Sequence, residues 1–532
     1  QIIRGLQAAG VDTVFGLPGV HALGLWKALE TSGMRYLGFR HEQAAAHAAD
    51  GYARASRKPA ALFLSTGPGA LNSLSALGEA YVSSSPVIAI SSAIPSKYFG
   101  KGKGYLHEAK DLGPAFAAVT KASVRVLNAS ELIQGLTHVL REAIGGRRRP
   151  VFLEVAADVF DADGEGDVDL SAETPRSVRQ DEIDQAALLL RLAARPVIWA
   201  GGGVLASGAS EALTRIAEKI DAPVVTTFMG KGTVPEDHPL CAGTMVRQPE
   251  GQELLREADL LLAVGTRFSA MATGNWKMQL PSQLVHIDID REELGRNYPV
   301  RLGIAADARS CLEKIDAALE MDEPASKPEW GSSAAQRVRA ASFERARSEG
   351  PREMEMLDAV RAAVPPEIHT VHDMTIASYW SAPFLEVTQP GTFHYPYGYA
   401  SLGFSLPASI GVAVATGRPV VSFSGDGGLQ YHDRELSTIA QYNLPVVALV
   451  FNDRAWGILK SFSKARYSTT FGLDLRGPDF VALAESHGVP ATVAHTPEEL
   501  GAAVSKAVES NGPYLVEIPG EWRPPPPQSY YT

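Results

Sequence analysis

The stretch Val420–Leu459 constrains the fold of this chain more than any other part of the sequence. An apolar, β-branched run ends at Gly425-Asp426-Gly427-Gly428, and a second apolar run ends at Asn452-Asp453. Between the two runs, apolar residues recur at helical spacing, so the pattern predicts a strand, a glycine turn, one helix and a second strand. Strands joined in this way are parallel. Asp426 and Asp453 then lie at neighbouring carboxyl ends, where open α/β sheets bind ligands.

The residues around this turn predict a ligand that combines a phosphate with a metal. Gly425, Gly427 and Gly428 let backbone N–H groups approach an anion closely. Two carboxylates beside a phosphate would repel it unless a hard cation lay between them. We therefore expect Mg²⁺ or Ca²⁺ held by Asp426, Asp453 and a nearby carbonyl. The alternative is an ordinary strand–helix–strand crossover with a glycine turn and solvated acids.

The spacing of the two acids resembles a known cofactor signature. Asp453 follows Asp426 by 27 positions and is the second residue of an Asn-Asp pair. This resembles the signature of thiamine diphosphate enzymes, in which the second residue of the pair is more commonly Asn. The resemblance implies that Asp426, Asp453 and the main-chain carbonyl of Ala455 hold the metal. It also implies cofactor contacts from Gly425, Asp426, Gly427, Gly428, Asp453, Ala455, Trp456, Gly457 and Ile458.

Further motifs extend this resemblance over nearly the whole chain. GLPG, RHEQ, DGYAR, GPGALN, GGG, VGTRF and GFSLPASIG precede GDGG in the order seen in acetolactate synthase-like thiamine diphosphate enzymes. This family also includes benzoylformate and pyruvate decarboxylases. The resemblance implies an N-terminal pyrimidine-binding domain, a central domain and a C-terminal diphosphate-binding domain. It also implies a homodimer or homotetramer, because the cofactor lies between the first domain of one subunit and the third domain of another.

Alternating apolar runs and helical patterns predict three α/β domains, each built on a doubly wound parallel sheet. The segment Asp158–Arg179 has no apolar period and is interpreted as a linker, and the polar segment Asp322–Gly350 as a connector. The similar patterns of the two outer domains suggest a duplication. The expected boundaries are 1–160 for the N-terminal domain, 180–320 for the central domain, 350–518 for the C-terminal domain and 519–532 for a Pro-rich tail.

The resemblance assigns roles to individual residues of the outer domains. The family's catalytic acid corresponds to Glu42, which would hydrogen-bond the pyrimidine ring and favour the tautomer that deprotonates the thiazolium. Leu402 corresponds to the apolar residue that bends the cofactor, and the carbonyl of Ala400 would receive its amino group. The ordinary alternatives are a first-turn helix residue for Glu42 and a core leucine for Leu402. The N-terminal turns would contribute Gly19, Pro68 and Asn72 to the cofactor site.

This chemistry implies an enzyme that acts on a 2-oxo acid. The cofactor ylid adds to the carbonyl, CO₂ leaves, and the remaining enamine either is protonated to an aldehyde or attacks a second carbonyl compound to give an acyloin. His21 and His107 are candidate proton-transfer residues, since imidazole titrates near neutral pH, although either could be structural. The alternatives are a true acetolactate synthase, a non-catalytic relative that binds the cofactor, and a flavin- or nicotinamide-dependent oxidoreductase built on the central domain.

Three departures from acetolactate synthases bear on substrate and cofactors. Phe462 stands where those enzymes carry the Trp of their second-substrate site, and Ser269-Ala270 replaces an acidic pair usual in flavin-binding members, which counts against FAD. Other motifs look closer to a subgroup with a decarboxylase for guanidino-bearing 2-oxo acids. Such a substrate needs a carboxylate partner, for which Glu108 and Asp433 are candidates.

Bulk composition narrows the partners. The formal charge of −11 argues against nucleic acid or an anionic membrane as a partner. No apolar run approaches the roughly 20 residues of a membrane span. Only two cysteines occur in the 532 residues, which fits a reducing cytoplasm better than a disulfide framework. We therefore expect a cytoplasmic enzyme whose partners are a small 2-oxo acid and further copies of itself.

Overall fold

Three six-stranded parallel sheets follow one another along the chain in the computed structural model, which describes residues 1–162, 165–171, 178–320 and 329–525. Helices cover the sheets. Most strands are therefore buried on both faces and consist of continuous apolar runs rather than alternating ones. The prediction of three α/β units with parallel sheets is confirmed. No helix within these described ranges is long and apolar enough to cross a membrane.

The first sheet has the strand order β2-β1-β3-β4-β6-β5. Its strands are β1 (Thr13–Gly16), β2 (Arg35–Gly38), β3 (Ala60–Leu64), β4 (Val87–Ala93), β5 (Ala122–Val126) and β6 (Val151–Ala156). Its helices are α1 (Ile2–Ala8), α2 (Leu23–Glu30), α3 (Glu42–Ser56), α4 (Pro68–Asn72), α5 (Leu74–Ser83), α6 (Gly113–Ala117) and α7 (Leu132–Ile144). Short 3₁₀ turns span Val20–Ala22, Ser96–Tyr98, Ala129–Glu131 and Ala157–Val159.

The central sheet has a different strand order, β12-β11-β10-β7-β8-β9. All its strands are parallel, but the chain adds β8 and β9 on one side of β7 and β10 to β12 on the other, so the strand order reverses between β7 and β10. Its strands are β7 (Pro196–Ala200), β8 (Val224–Thr226), β9 (Cys241–Gly243), β10 (Leu260–Val264), β11 (Gln283–Asp288) and β12 (Leu302–Ala305). The helices of this region are α8 (Gln180–Leu192), α9 (Gly202–Ser207), α10 (Ser210–Ile220), α11 (Pro249–Glu257), α12 (Ala270–Thr273) and α13 (Ala308–Glu320), with 3₁₀ turns at Phe228–Gly230 and Arg291–Glu293.

The third sheet, β14-β13-β15-β16-β18-β17, repeats the strand order of the first. Its strands are β13 (His369–His372), β14 (Phe393–His394), β15 (Val420–Gly425), β16 (Val446–Asn452), β17 (Ala491–Val493) and β18 (Tyr514–Pro519). Helices α14 (Gly331–Glu349) and α15 (Pro351–Ala363) precede it. The others are α16 (Ile376–Phe384), α17 (Ser405–Thr416), α18 (Asp426–Leu429), α19 (Leu436–Gln441), α20 (Gly457–Tyr467), α21 (Phe480–Ser486) and α22 (Pro497–Glu509), with a 3₁₀ turn at Asp433–Glu435.

The two outer sheets are joined by a close crossing of α3 and α17, each of which follows the second strand of its unit. A side-chain carbon added at Gly51 of α3 would overlap the carbonyl of Ala408, and one added at Gly411 of α17 would overlap the carbonyl of Ala48. The two helix backbones therefore touch, which only glycine allows at these positions. Buried residues of both regions form one continuous apolar core.

One prediction about local structure is wrong, and one segment interpreted as a connector contains a helix that its sequence did not indicate. The single helix expected after the glycine turn is divided into α18, the 3₁₀ turn and α19, because His432 leaves helical geometry with φ −140° and ψ 25°. The segment Asp322–Gly350, interpreted as a connector, contains the 19-residue helix α14. The small residues Ala334 and Ala346 lie buried on one face of this helix, so its apolar stripe is inconspicuous in the sequence.

Three predicted segments are only partly described. Residues 163–164 and 172–177 of the predicted linker, 321–328 around the start of the connector, and 526–532 of the predicted tail lie outside the described residues. The rest of the tail begins with the last residue of β18. It then leaves the sheet, and its Trp522 is buried against the C-terminal core.

Candidate active site

Glu42 occupies the first turn of α3, where the helix N-terminus favours a negative charge. The capping role itself belongs to His41, whose Nδ1 accepts from a backbone N–H. The Glu42 carboxylate accepts a hydrogen bond from Nδ2 of Asn72 at 3.0 Å. Asn72 ends the helix that Pro68 begins, and a side chain at Gly69 would come within 2.8 Å of Oε1 of Glu42. The structure therefore brings together Glu42, Pro68 and Asn72, and this turn orients the carboxylate.

His21 and His107 lie against each other near the carboxyl edge of the same sheet. Their rings are perpendicular, with centroids 5.6 Å apart. Nδ1 of His21 lies 3.1 Å from Oγ1 of Thr66, which in turn lies 2.6 Å from Oγ of Ser92. Burial and the neighbouring His107 lower the pKa of His21, so its ring is neutral at pH 7. Nδ1 of His107 is buried and has no hydrogen-bond partner among the described residues.

Close backbone contacts bring this pair of histidines together. A side chain at Gly19 would lie 2.6 Å from Oγ of Ser65, and one at Gly67 would lie 2.5 Å from the carbonyl oxygen of His107. Gly67 and His107 also both have positive φ angles, 61° and 67°. Gly19 is thus explained by the tight approach of the first turn to the end of β3, and that approach carries His21 into the cluster.

Both carboxylate oxygens of Glu108, a candidate guanidinium partner, accept hydrogen bonds from its own loop. Its Oε1 accepts from the backbone N–H of Gly102 at 3.0 Å, and its Oε2 accepts from those of Gly104 and Tyr105 at 2.8 and 3.0 Å. These bonds fix the loop that carries His107. Asp433, the other candidate, lies in the 3₁₀ turn after α18.

Asp426 and Asp453 form a second group, at the carboxyl edge of the third sheet. Their strands β15 and β16 are adjacent and parallel. Oδ2 of Asp426 is buried and has no hydrogen-bond partner within the described part of the chain. Burial and the repulsion from Asp453 raise the pKa of Asp426 to about 6, and burial raises the pKa of Asp453 to about 6. Two close, poorly hydrated carboxylates are a donor set that fits a hard cation.

A metal at this position would need more than the two carboxylates. No group of three or more His, Cys, Asp and Glu side chains in the described ranges could hold a metal ion. Ala455 and Asp474 form an isolated antiparallel bridge. Its two hydrogen bonds are accepted by the carbonyls of Arg454 and Leu473. That bridge does not use the carbonyl of Ala455, which is the predicted third donor.

The residues after Asp453 pack around the glycine turn. A side chain at Gly427 would lie 2.7 Å from the ring of Trp456, and one at Gly457 would overlap the Asp453 carboxylate. Ile458 is partly buried against the C-terminal core. Within this predicted cofactor segment, Trp456 therefore covers Gly427 and Gly457 lies against Asp453.

The loop that carries Ala400 and Leu402 reaches the same edge through Asp373, a residue that sequence reasoning missed. Oδ1 of Asp373 accepts from the backbone N–H of Gly403 at 3.3 Å, and a side chain at Gly428 would lie 3.1 Å from its Oδ2. Burial raises the pKa of Asp373 to about 6. Asp373 directly follows β13, and an acid directly after a buried strand is the signal that could have found it.

A cluster of histidines between the two groups was also missed. The ring of His432 lies 5.9 Å from those of His41 and His47, and neither nitrogen of His432 has a partner among the residues described. Burial lowers the pKa of His432 to about 3 and that of His47 well below its usual value. The cluster is neutral and links the start of α3 to the turn after α18. Neither His47 nor His432 belongs to a motif that could have indicated this.

The glycines of the central region serve close packing. A side chain at Gly203 would lie 2.6 Å from Cα of Gly265, and one at Gly201 would overlap the carbonyl of Gly265. These contacts bring the carboxyl ends of β7 and β10 together. They account for the glycines without a bound nucleotide.

Known proteins resemble this chain over nearly its whole length. Models of the thiamine pyrophosphate enzymes match it in three parts: the N-terminal TPP binding domain at residues 1–113, the central domain at 183–315 and the C-terminal TPP binding domain at 373–518. A probable acetolactate synthase large subunit from Methanocaldococcus jannaschii is 36% identical over 97% of this chain and 90% of its own length. A probable 2-ketoarginine decarboxylase from Pseudomonas aeruginosa is also 36% identical, over 97% and 93%. The acetolactate synthase isozyme 2 large subunit from Escherichia coli is 30% identical over 97% and 94%.

Proposed function

This chain belongs to the thiamine pyrophosphate enzyme family, and from that premise we propose that it uses thiamine diphosphate and Mg²⁺ as a lyase or carboligase acting on a 2-oxo acid. The observation that carries the proposal is the pair Asp426 and Asp453 at adjacent strand ends beside a glycine turn, with one buried carboxylate oxygen unpaired among the described residues. A merely structural turn would not need two poorly hydrated acids.

Asp426, Asp453 and the carbonyl of Ala455 would hold the Mg²⁺ ion. The backbone N–H groups of Gly427 and Gly428 would contact the diphosphate. Leu402 and the carbonyl of Ala400 would contact the organic part of the cofactor. When bound, thiamine diphosphate supplies a nucleophilic carbon and an electron sink for cleaving the bond next to a carbonyl.

Proton transfer would be shared by Glu42 and the two histidines. Glu42 would hold or release a proton at its carboxylate, which Asn72 keeps in one orientation. The contact with Thr66 engages Nδ1 of His21 and leaves Nε2 as the atom that exchanges a proton with substrate or product. His107 would limit water access to the same space.

The two groups of residues belong to different sheets, and we propose that a second copy of the chain completes each site. Glu42 makes its contacts within the N-terminal unit, at Asn72 and Gly69, whereas Asp426 and Asp453 lie on the C-terminal sheet. A homodimer or homotetramer in the cytoplasm fits this division and the family resemblance. The proposed domains are 1–160, 180–320 and 350–518.

The substrate side chain defines two candidates. A decarboxylase for a guanidino-bearing 2-oxo acid is favoured by the relative named as a probable 2-ketoarginine decarboxylase and by Phe462 in place of the acetolactate synthase Trp. An acetolactate synthase is favoured by the names of the other relatives. A relative that binds the cofactor without turnover would have no use for the Glu42–Asn72 hydrogen bond.

CO₂ release from a panel of 2-oxo acids tests this proposal. Pyruvate, benzoylformate, a branched-chain acid and a guanidino acid are supplied with and without thiamine diphosphate and Mg²⁺, and the organic product is identified. We expect release that depends on both additions, with an aldehyde product indicating a decarboxylase and an acyloin or acetohydroxy acid indicating a ligase. Tight cofactor binding without CO₂ from any acid would contradict action on these acids, and failure to bind the cofactor would contradict the proposal as a whole.

A further inference from the structure

We propose that Glu79, on helix α5 of the N-terminal domain, is a positioning residue that shapes the loop 395–404 of the C-terminal domain in the same chain. This inference rests on the proposed function, in which that loop contacts the cofactor through Ala400 and Leu402. Glu79 itself would not touch the cofactor. It would act through the backbone of Ala400.

One face of α5 follows the loop residue by residue. Four positions of the helix lie on this face at helical spacing, and each meets a different loop residue. Oγ of Ser75 lies 2.9 Å from Oγ of Ser401, the backbone of Gly78 supports the ring of Tyr399, Oε2 of Glu79 accepts from the N–H of Ala400 at 3.0 Å, and Val82 packs against Gly398. Gly78 is required here because a side chain would come within 2.6 Å of the Tyr399 ring.

Ala400 is the residue of this loop that most needs support. Its φ of 61° is in the left-handed region, which costs a non-glycine residue about 1 kcal/mol or more. In this conformation its N–H donates to Glu79 at 3.0 Å. The same conformation sets the direction of the Ala400 carbonyl, the group proposed to meet the cofactor.

Glu79 is held in place by a buried ion-pair network. Its side chain is fully buried and lies 3.4 Å from the Arg54 guanidinium, which also binds both carboxylate oxygens of Asp50 at 2.6 and 2.7 Å. One cation thus faces two carboxylates. Glu79 also accepts from the hydroxyl of Ser83 at 2.8 Å and from the N–H of Ala400. A buried carboxylate with fixed partners can hold a backbone group far more rigidly than an exposed one.

The same network holds the two ends of the loop. Nη1 of Arg54 donates to the carbonyl of Tyr395 at 3.0 Å, and its guanidinium lies 4.7 Å from the centre of the Phe404 ring. The loop is therefore fixed at its start, middle and end by residues of the N-terminal domain. The N-terminal domain would thus serve two sites: it supplies Glu42 to one and shapes the cofactor loop of another.

Glu79→Gln tests this role, with Glu154→Gln as the matched control. Glu154 is a buried glutamate of β6 in the sheet of the N-terminal domain and lies 2.5 Å from Nε of Arg125, and among the described residues none of its hydrogen bonds or ion pairs reaches the loop. An amide at position 79 cannot satisfy both Arg54 and Ala400. We expect faster hydrogen exchange in residues 395–404 of the cofactor-free protein, a loss of roughly 10-fold in thiamine diphosphate affinity and a fall in kcat without a matching rise in substrate KM. Glu154→Gln should leave hydrogen exchange in the loop, thiamine diphosphate affinity and kcat unchanged, even if it lowers thermal stability as much as Glu79→Gln or more.

The outcomes separate this inference from the proposed function. If Glu79→Gln behaves like Glu154→Gln in loop exchange and cofactor affinity, the positioning role is wrong. If Glu79→Gln does not fold, Ser75→Ala is the deciding variant, because it removes one loop contact near the start of α5 on the same helix face. It should speed hydrogen exchange in the loop and weaken cofactor binding by roughly 3-fold. Unchanged hydrogen exchange in the loop would overturn the inference. A wild-type protein that binds no thiamine diphosphate contradicts the proposed function, whereas the exchange measurement still reports on Glu79.

Discussion

Replacing Gly411 by alanine should push helices α3 and α17 apart where they cross between the two outer domains. The added methyl would overlap the carbonyl oxygen of Ala48 and lie 2.7 Å from the backbone N of Tyr52. Both neighbours are backbone atoms of a helix, so neither can rotate away. Because the methyl carbon would lie 1.8 Å from that oxygen, the helices must move apart by roughly 1.7 Å to restore a contact of about 3.5 Å.

The expected magnitude follows from two opposing effects. Alanine is favoured over glycine in a helix interior by about 1 kcal/mol. Overpacking costs about 1 to 3 kcal/mol, and a backbone clash belongs at the upper end, because a gap of about 1 Å already forfeits up to half of the dispersion energy of each contact it opens and the separation required here is larger. Gly411→Ala should therefore destabilise the protein by about 2 kcal/mol. Cofactor affinity should fall as well, since α3 begins with Glu42 and α17 follows the loop of Leu402.

Denaturant unfolding of the cofactor-free protein measures this change. Because three domains need not unfold together, each transition is compared separately. Gly501→Ala is the control, since Gly501 also lies within a helix but a methyl there would come no closer than 3.6 Å to any neighbour. That variant should gain about 0.5 to 1 kcal/mol. A Gly411→Ala protein as stable as Gly501→Ala would refute the argument from the helix crossing.

Three further outcomes are expected. Glu42→Gln should bind thiamine diphosphate almost normally in calorimetry, because its amide oxygen can still accept from Asn72, yet lose roughly 100-fold or more in turnover. Asp453→Ala should weaken Mg²⁺ and thiamine diphosphate binding together, by roughly 10- to 100-fold. Burial lowers the pKa of His369, beside His394, from 6.5 to about 4, so its contribution to stability is complete above pH 6.5 and is lost as the pH falls to about 4. In denaturant titrations across that range, the wild type should lose roughly 3 kcal/mol more than His369→Gln.

Each of these outcomes has a contrary result. Near-normal turnover of Glu42→Gln would remove that residue from the mechanism. Unchanged Mg²⁺ affinity in Asp453→Ala would contradict the assignment of Asp453 as a metal ligand. Parallel pH profiles for the wild type and His369→Gln would show that the buried imidazole is not what makes the protein sensitive to acid.

The strands could be predicted from the sequence because parallel strands covered on both faces are continuous apolar runs. The runs ending at Gly425 and at Asn452 match β15 and β16, and the positions of Asp426 and Asp453 follow from that topology alone. Helix continuity could not be predicted in the same way. The break occurs at His432, whose ring lies beside those of His41 and His47, nearly 400 positions earlier in the chain.

The parts of the candidate site that escaped prediction depend on long-range or backbone contacts. Asp373 is placed by the N–H of Gly403 and the turn at Gly428, and neither contact has a sequence signature. Glu108 carries a carboxylate that could pair with a guanidinium group, but in the fold this carboxylate accepts hydrogen bonds from three N–H groups of its own loop. The sequence shows that a carboxylate could bind a cation or a hydrogen-bond donor, whereas only the fold shows which partner it has.

The crossing of α3 and α17 has the form of an isologous contact within a single chain. Each helix follows the second strand of sheets with the same strand order, and each presents a glycine to an alanine that lies three residues before the glycine of the other. Such reciprocity is the mark of a twofold axis between identical subunits. At this crossing the two outer domains of one chain therefore meet as two subunits of a symmetric dimer would, which agrees with the duplication suggested by their similar patterns.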